Sequence, residues 1–123
     1  MESNSLAQYL YEIAQRSANA QIDWIQPNPS TYQWNSEENG LTVTIQRATS
    51  NKAFNSLLGL DSTPVNVSYL FQVLENRTKQ IVVSISSKER PEFFDVLNEI
   101  YLNVKHGMDK RSSDVLAKLL RFK

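Results

Sequence analysis

No cysteine occurs among the 123 residues. That excludes a disulfide framework, thiolate nucleophiles and cysteine-bearing metal sites. Glycine is scarce: Gly40, Gly59 and Gly107 stand 19 and 48 residues apart. A phosphate cradle or dinucleotide fingerprint needs clustered glycines so that backbone N–H groups can approach an anion, so neither is present. Histidine occurs once, as His106, and a single imidazole with no spaced partner is not a metal site or a general-base pair. No apolar run approaches the ~20 residues that span a bilayer. The opening Met1-Glu2-Ser3-Asn4 has no basic segment of the signal-peptide kind. The expectation is a cytoplasmic protein that takes no cofactor and no metal and does not engage a membrane. Net charge is also missing, with 13 basic residues against 13 acidic ones.

Uncharged polar residues fill the gap. Ser, Thr, Asn and Gln make up 39 of the 123 residues. The zero net charge conceals a gradient. Residues 1–45 carry five acids and one base, while residues 77–123 carry ten bases and six acids. The excess at the back is Lys105, Lys110, Arg111, Lys118, Arg121 and Lys123 against Asp109 and Asp114. Such a cluster reads as a basic patch for an acidic partner or nucleic acid. It reads more simply as cations placed where helix C-termini favour them, since the patch is smaller than a typical basic footprint.

The length fits one domain, 1–123. Leu6, Leu10, Ile13 and Ala14 give residues 5–20 a helical stripe. Residues 22–26 form a short strand that Pro27-Asn28-Pro29 should stop. Tyr32 and Trp34 alternate with polar neighbours, as do Leu41, Val43 and Ile45, and Asn39-Gly40 lies between them. A two-residue turn at that dipeptide sets Trp34 opposite Ile45 and Ser36 opposite Val43. Residues 50–59 have a weaker helical pattern in Phe54, Leu57 and Leu58, and residues 61–64 read as a connector.

The second hairpin is plainer. Val65, Val67, Tyr69, Phe71 and Val73 hold odd positions, and so do Ile81, Val83 and Ile85. Both sets share a face only if paired numbers sum to an even value, which requires a three- or five-residue connection near Asn76. A sum of 152 sets Leu70 opposite Val82, and a sum of 154 sets Gln72 there. Residues 91–106 follow as a helix with Pro91 at its first position and Gly107 as its left-handed cap. Residues 113–122 form a separate short helix on Val115, Leu116, Leu119 and Leu120. The order α-β-β-β-(α)-β-β-α-α is an α+β fold, an antiparallel sheet of about four to five strands with helices at both ends of the chain. It resembles, in element order, small secretion-chaperone-type domains. That likeness implies a dimer that holds a client.

Catalytic chemistry has no carrier. None of the 14 serines sits in a G-x-S-x-G elbow. Glu37 and Glu38 point to opposite faces of a hairpin, and Asp95 and Glu99 share a solvated helix face. Trp24, Tyr32, Trp34, Tyr69 and Phe71 fit a buried core better than a base-stacking platform, since they share a face with Val43, Ile45, Val67 and Val83. The other face of the second hairpin carries Leu70, Leu74 and Val82 among Gln72, Ser84 and similar residues. Depletion of charge around a small apolar centre is the mark of a protein contact. The sequence therefore predicts a protein-interaction module or homodimer, adaptor- or chaperone-like, without catalysis. The alternatives are weak nucleic-acid binding through the basic C-terminal segment and a small enzyme whose site is not visible in sequence.

Overall fold

A computed structural model describes residues 3–49 and 67–121. The weaker helical pattern at 50–59, the connector at 61–64 and Lys123 lie outside the described residues. Helix α1 (Ser3–Ala18) is followed by β1 (Trp24–Asn28), β2 (Thr31–Ser36), β3 (Leu41–Thr49), β4 (Val67–Glu75) and β5 (Ile81–Ser86). A 3-10 turn (Pro91–Phe93) leads into α2 (Phe94–Arg121). The strands form one open antiparallel sheet in the order β1-β2-β3-β4-β5. The α+β expectation holds.

Alternation decides which face is covered. Trp24, Trp34, Val43, Val73 and Val83 lie in one register row, and Tyr32, Ile45, Phe71 and Ile85 in the next. Both rows pack against α1 and α2 through Leu10, Ala14, Leu97, Ile100 and Val104. The aromatics belong to this core: Trp24, Tyr32, Tyr69 and Phe71 are buried. Several polar tips find partners inside it. The Trp24 indole N–H donates to Ser17 Oγ at 2.9 Å, and Ser17 Oγ donates to the Ile13 carbonyl at 2.8 Å. Tyr69 donates its hydroxyl to Asn98 Oδ1 at 2.6 Å. Burial raises the phenols of both Tyr32 and Tyr69 above the ordinary 10.0, with the Tyr101 ring adding to both and Arg47 opposing at Tyr69. The folded state then holds phenol protons that the unfolded chain gives up. This contribution is complete below about pH 10 and is lost as the pH climbs further. Urea midpoints should be level between about pH 7 and 9 and fall above about 10; in Tyr32→Phe and Tyr69→Phe the fall should be shallower.

Four local expectations change. β1 runs through Pro27 to Asn28, with irregular pairing between Ile25 and Asn28. It is an edge strand, where a proline's missing N–H can face away from the ladder. The first hairpin closes with Ser36 opposite Leu41 and Trp34 opposite Val43, a loop two residues longer than a 39–40 turn gives. Asn39 N–H donates to the Ser36 carbonyl and Gly40 N–H to that of Glu37. Of the loop residues 37–40 only Gly40, at φ 65°, enters the left-handed region, so a four-residue loop replaces the two-residue turn that needs both. In the second hairpin the paired sum is 156, even as parity requires, with Leu70 opposite Ser86 and Gln72 opposite Ser84. Neither register expected for Val82 occurs. Leu74 pairs with Ile81 and Val73 with Val83, so Val82 is the extra residue of a bulge.

Gly107 is the fourth correction. It caps nothing, because α2 is one continuous helix of 28 residues, and the separate helix expected at 113–122 is its second half. The described sequence of elements is therefore α-β-β-β-β-β-α. Asn103 Nδ2 donates to the Ala14 carbonyl at 2.9 Å, and a Cβ built on Gly107 would stand 2.8 Å from the Ser17 carbonyl oxygen. These contacts advance together along both helices, so α1 and α2 run parallel and touch most closely at Gly107.

Candidate functional site: the open sheet face and the helix arm

Both helices lie on one side of the sheet. Among the described residues, no helix or strand lies on the other side. Three register rows form that open face. The central one reads Ile25, Gln33, Thr44, Gln72 and Ser84 across all five strands. On one side of it run Asn35, Thr42, Leu74 and Ile81; on the other run Asn28, Thr31, Gln46, Leu70 and Ser86, of which Thr31 is buried. None of these side chains is charged. Gln33 donates to Asn35 Oδ1 at 2.9 Å, Thr42 donates to Asn76 Oδ1, and Gln72 donates to Ser84 Oγ at 3.3 Å. These bonds hold the amides in the plane of the face.

The residues singled out in sequence are brought together in part. Leu70 and Leu74 are half-buried on this face, beside Gln72 and Ser84. Val82 is 52% exposed and sits in the bulge of edge strand β5, away from the centre of the patch. The contribution of β2 and β3 was available from their polar alternates, Gln33, Thr42, Thr44 and Gln46. Their pairing with the second hairpin was not, because nothing local fixes which strands become neighbours.

The basic cluster is strung along α2. Lys105, Lys110, Lys118 and Arg121 are exposed, and Arg111 makes an ion pair with Asp23 at 3.0 Å. Lys110, Lys118 and Arg121 share their side of the helix with Asp114, which dilutes the positive field. His106 is exposed in mid-helix, beyond reach of the C-terminal dipole. Glu37, Glu38, Asp95 and Glu99 are exposed as well. No three His, Asp or Glu side chains converge among the described residues, and no described helix is long and apolar enough to cross a membrane. A cleft of about 520 Å³ opens beside Thr49, Val67, Ser87, Lys88 and Phe94, with Lys88 the one charged group in its described lining.

The sequence reading missed the second half of α2 as a surface. The buried positions of that helix end at Gly107, and the Arg111–Asp23 ion pair is its last tie to the body. Every residue from 112 to 121 is exposed, including Val115 at 52%, Leu116 at 59%, Leu119 at 64% and Leu120 at 73%. The cause is a difference in length. α1 stops at Ala18, where Ala20 takes a left-handed conformation (φ 57°) and Gln21 N–H closes back on the Arg16 carbonyl. α2 continues past that point as an arm. Exposed leucines at helical spacing were the available signal, but the same spacing also describes a buried helix.

The chain matches no known protein family, no curated protein and no solved structure.

Proposed function

We propose that this protein is an interaction module without a catalytic role, which joins a second copy of itself through the open face of its sheet. The observation that carries this reading is the absence of charge from all three register rows of that face. A two-fold interface presents one surface to itself, so any charge near its centre meets a like charge. This face has none. Its amides and hydroxyls each carry donors and acceptors, so the surface is complementary to its own copy. Leu70 and Leu74 supply the apolar centre, and the uncharged surround lowers the desolvation cost of contact.

Sedimentation equilibrium tests the reading. The wild-type chain should show a reversible, concentration-dependent mass above 14.1 kDa. Leu70→Glu and Leu74→Glu should each weaken that association about tenfold or more while the circular dichroism stays unchanged, since a buried unpaired carboxylate costs more than the ~1.4 kcal/mol that a factor of ten represents. Val82→Glu, out at the bulge, should have the smaller effect. Folded Leu70→Glu and Leu74→Glu proteins that associate as well as wild type would remove the open face from consideration.

A further inference from the structure

We infer that the arm at residues 112–121 is a second self-association site, at which two copies pair their α2 helices antiparallel. The inference does not depend on the sheet face, because the arm belongs to the helix layer on the opposite side of the sheet. Phe94 packs beside Tyr69 of β4, Tyr101 beside Tyr32 of β2, and Arg111 reaches Asp23 just ahead of β1. The helix therefore crosses the strands and leaves the body at the β1 edge. Ten residues at ~1.5 Å each carry it about 15 Å further.

The stripe selects its occupant by shape and charge. At ~100° per residue, Val115, Leu119, Leu116 and Leu120 cover an arc of about 140°, and Ser112 falls inside it. Lys110, Asp114, Lys118 and Arg121 cluster on the opposite side. An anionic lipid surface would favour cations flanking the stripe, where they reach headgroups while the leucines insert. Here the cations point away from whatever the stripe touches, which suits an apolar protein partner. The spacing then points to the arm itself. Positions 115, 116, 119 and 120 read the same in both directions. An antiparallel pairing sets Val115 against Leu120 and Leu116 against Leu119, and the two-fold closes with all eight side chains inside. A parallel pair is two-fold as well, but it would lay each bulky body beside the other. Among the described residues nothing of the arm's own body covers the stripe, since α2 is continuous and α1 ends at Ala18. Eight half-exposed side chains fall short of the ~1,200 Å² of an ordinary stable interface, so the pairing is weak and reversible.

Copies joined face to face by their sheets hold their helix layers outermost, so one pair of copies cannot use both contacts. Sedimentation equilibrium of four chains separates the two sites: wild type, Leu116→Glu/Leu119→Glu, Leu70→Glu/Leu74→Glu, and all four substitutions together. The wild type should exceed a dimer at high concentration. Either double variant should stop at a dimer, and the quadruple variant should be a monomer. The arm substitutions should leave the melting temperature unchanged, because both side chains are more than half exposed. If Leu116→Glu/Leu119→Glu assembles as the wild type does, the arm pairing is wrong and the sheet reading stands. If the wild type stops at a dimer that Leu116→Glu/Leu119→Glu abolishes, the arm stands and the sheet reading falls. A wild-type monomer that binds phosphatidylserine–phosphatidylcholine vesicles through the arm would overturn the pairing. Orientation is read separately in this cysteine-free chain. On oxidation, a mixture of Leu116→Cys and Leu119→Cys proteins should give the 116–119 heterodisulfide in excess over both homodisulfides. An excess of 116–116 and 119–119 would overturn the antiparallel arrangement.

Discussion

Replacing Gly107 with leucine should lower the stability of the fold by about 3 kcal/mol or more, and replacing it with alanine should lower it by about 1. The alanine result is the more telling. In an exposed helix interior, Gly→Ala raises stability by up to about 1 kcal/mol, because alanine loses less backbone entropy. At Gly107 the sign reverses. A Cβ there would lie 2.8 Å from the Ser17 carbonyl oxygen, inside any real contact distance. That oxygen belongs to the last turn of α1, so it cannot swing aside as a side chain would. Either α1 shifts bodily or α2 moves off the sheet, and both disturb Leu10, Ala14 and Val104, which are at most 1% exposed. The rest of a leucine side chain adds three more carbons in the same place. Urea unfolding followed by circular dichroism checks this, with Ala117→Gly on the exposed arm as the control. That control should lose about 1 kcal/mol from helix propensity alone. A Gly107→Ala protein more stable than wild type would mean that the two helices do not meet there.

Gly107 also illustrates what the sequence could and could not convey. A glycine after sixteen periodic residues is the ordinary sign of a helix end. The alternative, a glycine retained because another helix crosses within van der Waals distance, has the same local signature. Only the partner's position distinguishes the two, and that position is non-local. Parity behaved differently. The alternation of Tyr32, Trp34, Val43 and Ile45, and of Tyr69, Phe71, Val73, Val83 and Ile85, placed each residue on the correct face, because a strand has a strict period of two. Exact register did not follow, since loop length and the Val82 bulge are set by hydrogen bonds at the hairpin tips. The open face was half legible. Its Leu70, Leu74, Gln72 and Ser84 were visible, but their continuity with Gln33, Thr44 and Gln46 required the pairing of β3 with β4 across residues 50–66.

Tyr101→Ala should destabilise the protein by about 3–5 kcal/mol, a large part of the 5–15 kcal/mol available to a domain of this size. The residue sits where α2 crosses the sheet. Its ring lies 5.0 Å from that of Tyr32 and 5.5 Å from that of Tyr69, both in tilted arrangements. The Arg47 guanidinium stands 5.9 Å from its centroid. Truncation therefore removes more than one buried side chain. It opens a cavity between helix and sheet, strips a neighbour from two tyrosines, and leaves Arg47 over empty space. Each aromatic pair adds about 0.5–1.5 kcal/mol beyond area burial, and an exposed cation over a ring about 0.5–1. Tyr101→Phe keeps the ring and its packing, so it should cost well under 1 kcal/mol. The contrast separates ring from hydroxyl. An Arg47→Ala/Tyr101→Phe double-mutant cycle should show no coupling, because phenylalanine retains the π face that the guanidinium meets. If Tyr101→Phe were instead as damaging as Tyr101→Ala, the hydroxyl would be holding the crossing and the packing account would fail. The arm begins only five residues beyond Gly107, so the angle that Tyr101 sets at the crossing also sets the direction in which Val115, Leu116, Leu119 and Leu120 leave the body. A variant that loosens the crossing should therefore weaken assembly through the arm before it unfolds the domain.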